Sequence, residues 1–72
     1  MKLIRKISIG QDYKNEAMHY SVGQAVYGGH TICDIFEKKD GYHIYIEKDN
    51  NQIPWKHFNT NMAVSVEYNL DY

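Results

Sequence analysis

The sequence predicts an all-β domain, a small curled barrel of about five antiparallel strands, and three observations carry that expectation. The closing run from Met62 to Tyr72 places an apolar or aromatic residue at every even position and a small, polar or charged one at every odd position. That two-residue period belongs to a strand with one face in water. Upstream, short apolar-patterned runs are separated by turn residues, with Asp40-Gly41 between two of them, a strong hairpin signal. The last run is also long enough to pair with the first, which lets a sheet curl and removes most of its edges.

The first strand runs from Leu3 to Ile9, with Ile7 and Ile9 on one face, Ile4 on the other, and Gly10 as its end. Gln11 to Met18 is polar and reads as a loop with a short helical turn. Asp12 is its candidate N-cap, and Glu16, Ala17 and Met18 are good helix formers. His19 to Tyr27 forms the second strand, with Tyr20, Val22, Gln24 and Val26 on one face and Gly23 at a bend or bulge. Gly28-Gly29 turns the chain into a β-branched third strand, Thr31 to Glu37. After the turn at Lys38 to Gly41, the fourth strand runs from Tyr42 to Glu47. It directs Tyr42, Ile44 and Ile46 inward and His43, Tyr45 and Glu47 outward.

Asp49 to Asn51 turns the chain again. Gln52 to Asn61 holds the only proline, Pro54, which suits the first position of a helix. Trp55 and Phe58 follow at a spacing that shares one face of a helical turn. A five-strand meander with a helical turn before the last strand, and with its terminal strands paired, has the connectivity of an SH3-like barrel. Residues 1–72 are read as one such domain.

Ten side chains are assigned to the core: Ile7, Ile9, Val22, Val26, Ile32, Ile35, Ile44, Ile46, Val64 and Val66. That is thin for a chain whose single cysteine, Cys33, rules out an internal disulfide, so homo-oligomerisation is expected. A net charge of −1 argues against wrapping duplex nucleic acid. The lone thiol and the absence of a long apolar run point to a cytoplasmic protein without a membrane segment, and Arg5, Lys6 and Ser8 interrupt anything like a secretory leader.

Chemistry-bearing motifs are few. The glycines of Val22 to Gly29 lack the spacing and the following helix of a dinucleotide loop, although the N–H groups of Gly28 and Gly29 suit an anion nest. His19, His30, His43 and His57 are scattered, and only His30 has a cysteine nearby, on the opposite face of a strand, so no metal site is expected. Cys33 reads as a small core residue, and Asp34, Glu37, Glu47 and Glu67 as solubilising strand charges. Neither a catalytic residue nor a cofactor is assigned, and an enzyme is not expected.

The ten aromatic residues, seven of them tyrosine, exceed what a small core can bury. Tyr13, Lys14, His19 and Tyr20 fall in or beside the loop that overhangs the groove of an SH3-like barrel, and Tyr27, Tyr45, Trp55 and Lys56 are placed on its other side. Stacking rings and nearby cations suit a nucleobase, a phosphate or a carboxylate.

Three segments, Ala17 to Gln24, Ile46-Glu47-Lys48 and Trp55-Lys56-x-Phe58-Asn59, resemble signature pieces of very small accessory proteins encoded by tailed bacteriophages. The resemblance implies a non-virion protein made in an infected bacterium. Some such proteins counter host defence by trapping nucleotide signals in pockets between subunits. The expectation is a non-enzymatic binding module that sequesters a small anionic, nucleotide-like ligand. Its alternatives are an adaptor or inhibitor docking on a host protein, and a virion structural or assembly protein.

Overall fold

The computed structural model describes residues 2–10 and 17–69. Six strands are present among them: β1 (Lys2–Gly10), β2 (Ala17–Ser21), β3 (Thr31–Lys38), β4 (Gly41–Lys48), β5 (Asn51–Phe58) and β6 (Ala63–Tyr68). Single 3-10 turns occupy Tyr27–Gly29 and Thr60–Met62. No helix of the described residues is long and apolar enough to cross a membrane.

All strand pairings are antiparallel, and β1 organises them. Ile7 lies opposite Tyr20 of β2 and opposite Val66 of β6, while Lys2 and Leu3 pair with Glu37 and Phe36 of β3. The path β2-β1-β3-β4-β5 curls around the core, with β6 joined to β1. This is the SH3-like barrel: first and last strands paired, β3-β4-β5 as a meander, and a helical turn before the last strand. β1 stands between β2 and β3 in place of the expected unbroken five-strand meander.

Seven isoleucines fill the centre: Ile4, Ile7 and Ile9 from β1, Ile32 and Ile35 from β3, and Ile44 and Ile46 from β4. Tyr20 and Tyr42 complete this core, and Val26 and Val66 pack half-buried against it. Two expected core residues lie elsewhere. Val22 falls in the turn that follows β2 and is exposed. Val64 is an extra residue in the β1–β6 ladder, where Ser8 pairs with Ser65 but Ile9 with Ala63, and it is 66 % exposed.

The same device explains Ile4. A bulge at Arg5 shifts the register between Ile4 and Lys6, so Ile4 and Ile7, which strict alternation separates, both turn inward. Ala17 and Met18, read as the end of a helical turn, pair with Gly10 and Ile9 as part of β2. The remainder of that predicted turn, 11–16, lies outside the described residues.

The largest correction concerns Pro54 to Phe58, read as helical and found within β5. Tyr45 pairs with Pro54 and Ile44 with Lys56, leaving Trp55 as the extra residue of a bulge. Edge strands and bulges are where a sheet accepts proline, and β5 ends the strand path beside such a bulge. The helical turn before the last strand sits instead at Thr60–Met62.

The hairpin turns follow the sequence. Asp49 and Asn50 adopt positive φ, 53° and 66°, as a two-residue type I′ turn requires. In the β3–β4 turn, Lys39 and Asp40 are followed by Gly41 at φ +128°, where a side chain would overlap the Phe58 carbonyl oxygen. Glycine there lets β5 lie directly against the turn.

Candidate functional site

Tyr20 leaves the inner face of β2 and reaches the two aromatic residues of β5, with ring centroids 5.8 Å from Trp55 and 5.7 Å from Phe58. β2 and β5 are the two ends of the strand path, and no ladder joins them among the described residues. The barrel is therefore closed on this side by aromatic packing. Such ring pairs contribute about 0.5–1.5 kcal/mol each beyond the area they bury.

Outside this closure lies an aromatic shelf. β2 ends where Gly23 turns at φ +94°, and the chain crosses to β3 as a short excursion tied by Val26 N–H to the His30 carbonyl at 2.9 Å. Tyr27 stands at its tip, 59 % exposed, with its ring 6.3 Å from the half-buried Trp55. His30 stacks on Tyr27 at 5.1 Å, and both its main-chain N–H and its Nδ1 reach the Tyr27 carbonyl at 3.1 Å.

Cations flank the shelf. The Lys56 ammonium lies 4.8 Å over the Trp55 ring, a cation–π contact. The Lys48 side chain runs alongside Gly29, its Nζ 3.7 Å from where a Cβ would stand there. Gly28 and Gly29 both take positive φ, 63° and 80°, so the loop's narrow tip exposes main chain beside the rings.

The residues expected at one site separate by strand parity. Tyr27, Trp55 and Lys56 converge. Tyr20 lies behind them in the core, and its burial pushes the phenol pKa up. His19 points to the opposite face of β2, where its Nδ1 is hydrogen-bonded to the buried Ser8 hydroxyl at 2.7 Å. Tyr45 lies on the outer face of the β3–β4 sheet, packed edge-on against Phe36 at 5.7 Å. Tyr13 and Lys14 fall outside the described residues.

His30 and Lys48 join the shelf through the fold alone, because the 22–30 excursion carries Tyr27 back toward the end of β4. A second grouping, His43 with His57, was equally hidden from the spacing. They pair across β4 and β5 only because of the Trp55 bulge; had the register of Tyr45 with Pro54 continued unbroken, His43 would stand opposite Lys56.

At the other end of the barrel, Tyr68 donates its hydroxyl to Glu37 at 2.5 Å, and the same carboxylate engages Tyr42. Arg5 of β1 pairs with Glu67 of β6 on the surface. No family model, no curated protein and no solved structure matches the chain.

Proposed function

We propose that the protein is a non-enzymatic binding module that takes a small anionic ligand with a flat ring, of the nucleotide kind, onto the shelf of Tyr27 and Trp55. The observation that carries this reading is the exposed Tyr27 ring standing beside Trp55 with the Lys56 ammonium over the indole. A base stacked on Tyr27 gains about 1–3 kcal/mol, and Lys56 and Lys48 supply charge-assisted contacts to a phosphate. These groups hold a ligand, and no bond-breaking step is assigned to them. Withdrawing a nucleotide signal from host defence is the biological role proposed for that binding, supported by the resemblance of the sequence to phage accessory proteins.

Trp55 is the only tryptophan, so its fluorescence reports on the shelf directly. Titration with a panel of linear and cyclic nucleotides is expected to give saturable quenching by one class. Tyr27→Ala should weaken that response roughly five- to a hundred-fold, and Lys56→Gln should weaken it while preserving the fold. A flat response across the panel would overturn the reading and turn attention to a protein partner docking on Tyr27. Native mass spectrometry of the same samples counts subunits and retained ligands together.

A further inference from the structure

The outer face of β4 and β5 carries a second cluster, which shares no side chain with the shelf. His43 and His57 are register partners with ring centroids 4.6 Å apart. Both direct Nε2 at Asp40 in the β3–β4 turn. His43 Nε2–H donates to Asp40 Oδ1 at 2.7 Å, and His57 Nε2–H to the Asp40 main-chain oxygen at 2.8 Å. The second carboxylate oxygen lies 3.9 Å from His57 Nε2. One donor atom from each of the three residues falls within 4.8 Å of the other two.

The backbone builds this convergence. The Trp55 bulge sets His57 opposite His43. Gly41 removes the side chain whose first carbon would stand 3.0 Å from His57 Nε2. Three donors thus come from a turn and two adjacent strands, whose ladder fixes the two imidazoles relative to each other.

We propose that Asp40, His43 and His57 form a binding site for a divalent transition-metal ion of the Zn2+ class, with two imidazole nitrogens and one carboxylate oxygen as ligands and water completing the shell. Zinc bonds to such donors are about 2.0–2.2 Å long, which sets tetrahedral donors about 3.4 Å apart. The observed spacing reaches that value by small side-chain rotations. Two imidazoles beside a single carboxylate select a borderline cation, because Mg2+ and Ca2+ require oxygen-rich shells. On binding, each ring moves its proton from Nε2 to Nδ1 and gives the Nε2 lone pair to the metal. The hydrogen bonds to Asp40 are exchanged for coordination, and β5 is clipped to the β3–β4 turn.

The test is calorimetric titration of the chelator-stripped full chain with ZnCl2, paired with nuclear magnetic resonance of its histidine rings. One ion per chain is expected. The His43 and His57 ring signals should move, while His19 and His30 hold still as internal references. His57→Gln should weaken binding by about tenfold or more, and Asp40→Asn should weaken it less. Excess MgCl2 should not compete. Absence of saturable heat, binding undiminished in His57→Gln, or shifts confined to His19 and His30 would each overturn the proposal. The ring signals of the unaltered chain decide the matter even if a variant fails to fold.

Discussion

Tyr68 donates to a carboxylate, and that bond sets its chemistry: its pKa is pushed up to about 12, first by the hydrogen bond to Glu37 and then by partial burial. An unperturbed tyrosine ionises near pH 10, so between about pH 10 and 12 the folded chain keeps a proton that the unfolded chain releases. The stabilisation is therefore complete below about pH 10 and is lost as pH climbs toward 12. Tyr68 is more than a third exposed, and screening holds the contribution below about 1 kcal/mol. Glu37→Gln should bring the ionisation of Tyr68, and to a smaller extent that of Tyr42, to lower pH, read as tyrosinate absorbance; an unchanged titration would contradict the Tyr68–Glu37 bond. Cys33 offers a second check at this scale. Burial first, and then the charges of Asp34 and Glu47, push its thiol up. Its reaction with a disulfide reagent at mildly alkaline pH should be slower than that of free cysteine and should become normal in urea.

At the scale of elements, the bulges separate what the sequence discloses from what it conceals. The hairpin at Asp49-Asn50 and the turn before Gly41 were legible because their residue types answer to backbone conformation. A bulge has no such signature: it converts a strand's two-residue period into a spacing of three, which imitates a helix. Trp55 and Phe58, Ile4 and Ile7, and Ile32 and Ile35 are all pairs of this kind, each aligned by one extra residue. For Trp55 and Phe58, with Pro54 just ahead, the imitation was strong enough to turn a strand into an expected helix. Two substitutions test the turns. Gly41→Ala should cost more than about 3 kcal/mol, from a strained φ and the overlap with Phe58. Asn50→Val should cost about 1–2 kcal/mol, because a β-branched residue resists positive φ. Urea unfolding of each variant measures both.

The whole molecule depends on few residues. A domain of 72 residues has a net stability of roughly 4–11 kcal/mol, and truncating one core isoleucine costs about 2–5 kcal/mol. Ile44→Ala should therefore remove much of the total, while Ile44→Val should cost about 0.5–1.5 kcal/mol; a urea midpoint barely moved by Ile44→Ala would mean that the centre is not packed as described. The site was only partly legible at this scale. Aromatic excess and neighbouring lysines picked out Tyr27, Trp55 and Lys56, but face assignment needs the register, which sends Tyr45 and His19 elsewhere. The seam between β2 and β5 has a further consequence. Rings hold it together, whereas main-chain hydrogen bonds hold every ladder, and apolar attraction weakens as water is cooled. The barrel thus has a cold-sensitive join: near freezing, Trp55 emission should shift to longer wavelength while the strand signal in circular dichroism stays constant, the mouth loosening with its sheets intact.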